Sequence, residues 1–188
     1  MQKKTRKLKL RADGQASIEV ILKSAEDVLD QNPMASIEDI AKAAKISRMT
    51  IYRHFKTREE LLEKLTVESF TEALLTIDHF DKLAPFEEAL KKLTFEFLKP
   101  SAKWRAIATH PRQSSKIKNL IHTFYQQVDS VIDAGVKSKK ISKANNLTWA
   151  RHVYLGLVSQ AKRKEKSLNI DRQELSELIV TTFLRGLG

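Results

Sequence analysis

The stretch SIEDIAKAAKISRMTIYRHF, residues 36–55, decides the fold of this chain. Ser36 and Ser47 each precede a short helical segment and can cap it, because a serine hydroxyl accepts a hydrogen bond from an amide of the first turn. The break at residues 45–46 is too short to let the two helices pack independently. Ala41 lies where they cross, and a small side chain there allows the steep angle of a helix-turn-helix. The stretch therefore predicts this motif.

The second helix of the motif has a polar face directed away from the shared core. Its members between Ile46 and Phe55 are Ser47, Arg48, Thr50, Arg53 and His54. Residues 45–58 contain five cations and no acid, namely Lys45, Arg48, Arg53, Lys56 and Arg58. Arginine can fork onto a guanine edge, and hydroxyls and cations can hold phosphates, so this face suits a DNA-reading helix. The alternative is a solvated basic helix face.

Helical spacing continues on both sides of the motif. Upstream it predicts one helix over residues 15–30, which Pro33 ends because a residue before proline is pushed out of the helical region. Downstream, Thr57 and Glu60 have the spacing of a capping box and open a long helix. Further helical segments follow, and no stretch sustains the alternation of apolar and polar residues that is typical of a strand. The chain has only five Gly and four Pro, which favours long helices over a fold with many turns.

The predicted fold class is therefore all-α. It combines an N-terminal three-helix domain that contains the helix-turn-helix with a C-terminal helical domain. The predicted boundaries are a basic arm at residues 1–11, the DNA-binding domain at 12–60 and the helical domain at 61–188.

Charge and composition narrow the function classes. The 188 residues have a formal net charge of +11, which attracts nucleic acid or anionic membranes, unless the charge serves solubility alone. The chain has no Cys, which excludes disulfides and thiolate metal sites. No stretch approaches the roughly 18 apolar residues of a membrane-spanning helix, and no apolar run follows the basic N-terminus as in a secretory signal. We expect a cytoplasmic protein without a membrane partner.

No catalytic constellation is visible in the sequence. The five His residues include no pair at i, i+4 and no H-E-x-x-H motif. Phosphate loops and nucleophile elbows are also absent from the sequence. We predict no catalytic residue, no metal and no cofactor, which argues against a small helical enzyme.

The stretch SIEDIAKAAKISRMTIYRHFKTREELL resembles the DNA-binding segment of tetracycline-repressor-type (TetR family) regulators. The features that match are the acidic start of the first short helix, the Ala-rich turn, the T-I-Y-x-H-F core, and K-x-R-E-x-L-L at the start of the connecting helix. The resemblance reaches back to about residue 14 and returns weakly in the final IVTTFLRGLG. The middle, about 75–170, matches only in being helical. Most members have Gly where this chain has Lys45, because that turn residue adopts a positive φ.

The resemblance implies which residues contact DNA. Arg48, Thr50, Tyr52 and His54 would lie at the interface, with Met49 against a thymine methyl. The Tyr52 hydroxyl could bind phosphate or its ring could pack in the core. Lys56 and Arg58 would bind phosphate beside a helix N-terminus. The arm would lie along the DNA or be a disordered tail. The predicted set of DNA contacts is Ser36, Lys45, Ser47, Arg48, Met49, Thr50, Tyr52, Arg53, His54, Lys56 and Arg58.

The C-terminal domain is predicted to bind an effector and to dimerise. Candidate ligand-pocket residues, whose alternative role is ordinary core packing, are Leu74, Ile77, Phe80, Trp104, Phe124 and Tyr125. The apolar stripes of the last two helices could be buried within one chain or across a two-fold axis, and the resemblance favours the axis. The predicted dimer interface is Trp149, Val153, Leu157, Leu175, Ile179 and Phe183.

The sequence thus predicts a sequence-specific, DNA-binding transcriptional regulator. By the resemblance it is a ligand-responsive repressor that binds a palindromic double-stranded DNA operator as a homodimer and responds to an unknown small molecule. The rival hypothesis is a helical protein that binds a small molecule or a partner and whose helix-turn-helix is vestigial. The intact polar face at residues 48–58 argues against that rival.

Overall fold

The computed structural model describes residues 2–99, 114–143 and 146–187, with side chains at all of these except 2–15, 165 and 166. Within these ranges the chain forms eight helices and no strand, which confirms the all-α prediction. The helices are α1 (Gln2–Gln31), α2 (Ile37–Ala43), α3 (Arg48–His54), α4 (Arg58–Asp78), α5 (Phe86–Leu98), α6 (Ser115–Lys137), α7 (Leu147–Leu168) and α8 (Arg172–Leu187).

The described residues divide into two compact units. Unit 1 contains residues 2–69 and 114–117, and unit 2 contains residues 70–99, 118–143 and 146–187. Unit 1 therefore extends past the boundary that the sequence predicts at residue 60. Both α4 and α6 run from one unit into the other as single helices.

Unit 1 is built around one apolar core to which α1, α2, α3 and the start of α4 all contribute. The small side chain of Ala41 is buried in this core, where α2 packs against α3. The buried members are Ile21, Leu22, Ala25, Leu29, Ala35, Ile37, Ile40, Ala41, Ile51, Phe55, Leu61, Leu62 and Leu65. The two helices of the helix-turn-helix thus share one core with α1, and the first turns of α4 close that core.

The turn between α2 and α3 is a Schellman motif with a lysine at its left-handed position. Lys45 has φ 54°, as the comparison with glycine at this position predicts. The Ile46 amide donates to the Ala41 carbonyl at 3.0 Å and the Lys45 amide to the Lys42 carbonyl at 3.2 Å. These two bonds satisfy carbonyls that the end of α2 would otherwise leave unpaired. The turn keeps its geometry without glycine.

The first helix is longer than the sequence predicts. It begins at Gln2 instead of near Gln15, so residues 2–11 of the basic arm continue α1. Helix propensity explains the difference, because Lys, Arg, Leu and Gln are all good helix formers even where no apolar stripe is present.

Unit 2 packs α8 against α5 and α7, with an aromatic cluster beside them. The Phe124 ring of α6 lies 5.6 Å from that of Phe70 and 6.3 Å from that of Phe97. Tyr154 of α7 is fully buried and bonds the Thr94 hydroxyl of α5 at 2.9 Å. Because that hydroxyl donates to the Leu90 carbonyl, Tyr154 is the donor of this bond.

The orientation of α8 corrects part of the predicted dimer interface. Leu175, Ile179 and Phe183 are buried within unit 2, where Phe183 lies 5.4 Å from the Tyr154 ring. Their stripe fills the core of a single chain, so it is not available to a second one. Leu178, on another side of the same helix, is 51% exposed.

Candidate nucleic-acid interface

Helix α3 lies on unit 1 with one apolar side inward and a polar side outward. Ile51 is fully buried, whereas Arg48, Arg53 and Met49 are exposed, with Met49 at 71%. Lys45 in the turn before α3 and Lys56 after it are also exposed. The outward face predicted from the sequence is therefore present as one continuous surface along a short helix.

Two of the hydroxyls predicted at this surface cap helices, and a third bonds one of them. Ser36 accepts a bond from the Asp39 amide at 3.2 Å, while the Asp39 carboxylate accepts one from the Ser36 amide at 2.8 Å. The bond from the Ser36 amide, followed by one from the Ser36 hydroxyl, lowers the pKa of Asp39. Ser47 accepts from the Thr50 amide at 3.1 Å and bonds the Thr50 hydroxyl at 2.9 Å. The caps fix where α2 and α3 begin. Ser36 donates its hydroxyl proton to Asp39, whereas the bond between Ser47 and Thr50 leaves one of these two hydroxyls able to donate to a phosphate.

Tyr52 combines the two roles that the sequence leaves open. Its ring packs against the core of unit 1. Its hydroxyl lies 3.5 Å from the Arg48 guanidinium, which donates to it. The ring side is therefore structural, and the hydroxyl remains at the surface beside an exposed arginine.

Arg48 has two protein partners on this surface. Its guanidinium forms an ion pair with Glu38 of α2 and lies over the Tyr52 ring, 5.3 Å from the centroid. The bond to the Tyr52 hydroxyl, followed by the charge of Glu38, raises the pKa of Arg48. The guanidinium is thus held in one place while remaining accessible.

Acidic groups enter the surface from outside the segment that lacks acids in the sequence. Glu38 comes from α2, and Glu60 comes from the first turn of α4. The Glu60 carboxylate accepts the Lys56 amide at 2.7 Å, and the Thr57 hydroxyl accepts the Glu60 amide at 3.1 Å. The capping box at Thr57 forms with one change, because the Glu60 carboxylate bonds the amide of Lys56 and not that of Thr57. Lys56 therefore offers its side chain to a phosphate, but its amide is already paired.

Arg58 has a different role from the one predicted. Its Nε donates to the Ala35 carbonyl at 2.9 Å and its second terminal nitrogen to the Pro33 carbonyl at 2.8 Å. The side chain is partly buried, and it ties the first turn of α4 to the loop between α1 and α2. The pairing therefore holds the guanidinium against the protein and leaves Arg58 only partly exposed. Sequence reasoning missed it because its partners lie more than twenty residues away.

Glu38 is the surface residue that sequence reasoning missed. Its position in the first turn of α2 suggested only a favourable interaction with the helix dipole. Its partner Arg48 lies on the next helix, so the pair depends on the crossing angle of α2 and α3. The clue available in the sequence was one acid and one arginine, each in the first turn of a helix of the same motif.

A family of known proteins matches the part of the chain that contains this surface. Residues 21–65, which include α2, α3 and the start of α4, match the family model of bacterial regulatory proteins of the tetR family. The chain therefore contains a DNA-binding domain of the TetR family. It is accordingly a sequence-specific DNA-binding transcriptional regulator, and the proteins of this family are regulators, not enzymes. Comparison with curated protein sequences gives no significant match.

Solved structures of TetR-family regulators share the whole fold. The fatty acid degradation regulator FadR from Bacillus halodurans is 21% identical over 91% of this chain and 96% of its own, with a TM-score of 0.72. LfrR from Mycobacterium smegmatis, a TetR-like regulator in complex with proflavine, is 22% identical over 93% and 97%, also at 0.72. FadR from Bacillus subtilis, in complex with stearoyl-CoA, is 18% identical over 90% and 99%, at 0.70.

The predicted ligand-pocket residues that the structure describes all belong to unit 2. Ile77 and Phe124 are buried, while Leu74, Phe80 and Tyr125 are half-buried. Phe80 packs against Phe86 at 6.3 Å, and Tyr125 lies 6.0 Å from Phe124. Trp104 lies outside the described residues. These side chains form part of the packing of unit 2.

The exposed face of α7 contains the remaining predicted dimer residues. Trp149 is 62% exposed, and Val153 and Leu157 are half-buried. A Cβ added to Gly156 would meet no atom within 4 Å, so the backbone there lies open to solvent.

Within the ranges that the structure describes, no helix is long and apolar enough to cross a membrane.

Proposed function

We propose that this TetR-family regulator is a ligand-responsive, cytoplasmic repressor that binds a palindromic operator as a homodimer. The observation that carries the proposal is the continuous polar surface of α3, whose opposite side packs into the apolar core of unit 1. A short helix held in this way can enter the major groove, where its first residues reach base edges.

In this proposal the DNA contacts divide by chemistry. Arg48 reads a guanine edge and Met49 contacts a thymine methyl, because both are exposed at the start of α3. Lys45, Arg53, His54 and Lys56 bind phosphates, with the hydroxyl of Tyr52 and that of either Ser47 or Thr50 as supplementary donors. Arg58 is left out because its partly buried guanidinium is directed at the Pro33 and Ala35 carbonyls, whereas that of Arg48 is exposed.

The homodimer forms through the exposed faces of α7 and α8. Trp149 and Leu178 supply apolar surface, Val153 and Leu157 extend it, and Gly156 lets a partner helix approach closely. Large exposed apolar side chains on two neighbouring helices suit a four-helix bundle across a two-fold axis. Such symmetry places two α3 helices on half-sites about one turn of DNA apart.

The effector binds in unit 2, beside the end of α4. The similar LfrR and B. subtilis FadR hold proflavine and stearoyl-CoA, and each ligand has an apolar part, a fused aromatic ring system in the first and an acyl chain in the second. Leu74, Ile77, Phe80, Phe124 and Tyr125 are apolar or aromatic and belong to this unit. To weaken operator binding 100-fold, the effector must favour the DNA-free conformation by about 2.7 kcal/mol.

A binding experiment tests the function. Selection from a random double-stranded pool should enrich one palindrome, and DNA from the promoter region of the protein's own gene should contain a related sequence. Fluorescence anisotropy should then show affinity for that duplex well above that for a scrambled duplex of equal length. Enrichment of no sequence would favour the rival hypothesis of a vestigial motif.

A further inference from the structure

The ion pair between Glu38 and Arg48 places a negative charge inside the proposed DNA surface. The side chains of Glu38 and Arg48 are 52% and 58% exposed, so both remain within reach of a docked duplex. An acid at such a position is unfavourable for binding a polyanion in general. Its presence beside the best base-reading candidate therefore needs a physical reason.

Glu38 determines which acceptors Arg48 can use. Arg48 occupies the first position of α3, where the positive end of the helix dipole opposes its charge. Glu38 occupies the first turn of α2, where the dipole favours an acid. The carboxylate neutralises the guanidinium, and Tyr52 holds it from the other side through its ring and hydroxyl.

A phosphate and a guanine edge interact differently with this pair. A phosphate is an anion, so bringing it to Arg48 also brings it to Glu38, which repels it. A guanine edge offers two neutral acceptors, and the guanidinium has five donors, so it can bind the base while still paired with the carboxylate. The ion pair thus penalises the contact that any DNA offers and tolerates the contact that only guanine offers.

We propose that Glu38 is a specificity-determining residue, which keeps Arg48 from binding phosphate so that Arg48 adds affinity only at a guanine. This inference rests on the DNA interface proposed above, with Arg48 at a base edge.

The test compares Glu38→Gln with the wild type on two duplexes. One is the operator enriched from the random pool by the wild-type protein, and the other is a scrambled duplex of the same length. Affinity for the scrambled duplex should rise about three- to fivefold, the scale of one exposed ion pair. Its dependence on salt should steepen by about 0.9 logarithmic unit, equivalent to one new phosphate contact. Operator affinity should rise less, so the ratio of the two affinities should fall.

Two further variants separate this effect from general charge. Asp27→Asn makes the same change in net charge at an exposed position of α1, and it should leave the affinity ratio unchanged. In an Arg48→Ala background, Glu38→Gln should lose its effect on the ratio, because the residue that it restrains is gone. Thermal unfolding of each variant checks that unit 1 stays folded.

The outcomes are distinct. An equal rise on both duplexes, or an effect no larger than that of Asp27→Asn, would overturn the inference and leave the proposed function intact. An effect that persists without Arg48 would also overturn it and indicate that Glu38 itself touches a base. Enrichment of no sequence by the wild type would overturn the proposed function first.

Discussion

At the scale of single residues, Arg48 and Lys56 have different tasks in the proposed complex. Arg48→Ala removes a bidentate donor at the start of α3, so operator affinity should fall about 5- to 100-fold and preference at one base pair should relax. Repeating the selection from a random pool with the variant measures that preference. An unchanged enriched sequence would show that Arg48 does not read a base.

Lys56→Ala should act on all sequences alike. A phosphate contact contains no sequence information, so operator and scrambled duplexes should both bind more weakly, and the salt slope should flatten by about 0.9. Lys92→Ala removes one exposed charge from unit 2 and serves as the matched control. A slope equal to that of the control would exclude Lys56 from the interface.

Lys45 combines backbone strain with a proposed phosphate contact, and substitution separates the two. Lys45→Gly should raise the free energy of unfolding by about 1 kcal/mol, because glycine adopts the φ of 54° without the cost that a Cβ imposes. The same variant should bind DNA more weakly. Lys45→Ala keeps the strain and loses only the charge, so urea denaturation of the two variants isolates the backbone effect. Equal stability of the two would contradict it.

Tyr154 should make unit 2 sensitive to alkali. Burial raises the pKa of its hydroxyl. Above about pH 10 the unfolded chain therefore loses this proton while the folded protein keeps it, so stability should decrease as pH rises. In Tyr154→Phe this contribution is absent. The difference in unfolding free energy between the two proteins should be constant from pH 7 to 9 and should shrink above pH 10, and parallel curves throughout would contradict the assignment.

At the scale of secondary-structure elements, Arg58 connects the start of α4 to the loop before α2. Arg58→Lys keeps the charge but cannot donate to both the Pro33 and Ala35 carbonyls, since an ammonium is a point donor. Its unfolding free energy should fall by about 1–2 kcal/mol, with an unchanged salt slope of DNA binding. Unchanged stability together with a flatter slope in Arg58→Gln would restore Arg58 as a phosphate ligand.

The elements that could be predicted from the sequence are those set by local interactions. The caps at Ser36 and Ser47 and the left-handed turn at Lys45 depend on neighbours within five residues, and the structure confirms them. The pairings of Arg58 and Glu38 depend on how separate helices pack, which no local pattern specifies.

Helix α8 shows the same limit for apolar patterns. Leu175 and Leu178 are equally apolar, yet the first is buried and the second is half exposed. Hydrophobic spacing identifies an apolar helix but does not say which side faces its own chain and which faces a partner. For this reason the sequence did not indicate that Leu175, Ile179 and Phe183 are buried within their own chain.

At the scale of the whole molecule, assembly can be separated from folding by two substitutions on α8. Leu178→Asp places a charge on the exposed side, so it should give folded monomers with much weaker operator binding. Phe183→Asp buries an unpaired charge in unit 2 and should unfold it. Sedimentation and circular dichroism distinguish the two results. Dimers that persist in Leu178→Asp would move the interface elsewhere.

The position within α4 at which two regulators are joined decides whether a recombinant keeps the core of unit 1. Leu61, Leu62 and Leu65 belong to the core of unit 1, so a crossover at residue 60 would strip the DNA-binding part of three buried side chains. A crossover between Ser69 and Phe70 keeps these core residues together, exchanges residues 114–117 of unit 1 along with unit 2, and needs an unbroken helical register. Exchange at this point lets operator preference and the properties of unit 2 be inherited separately.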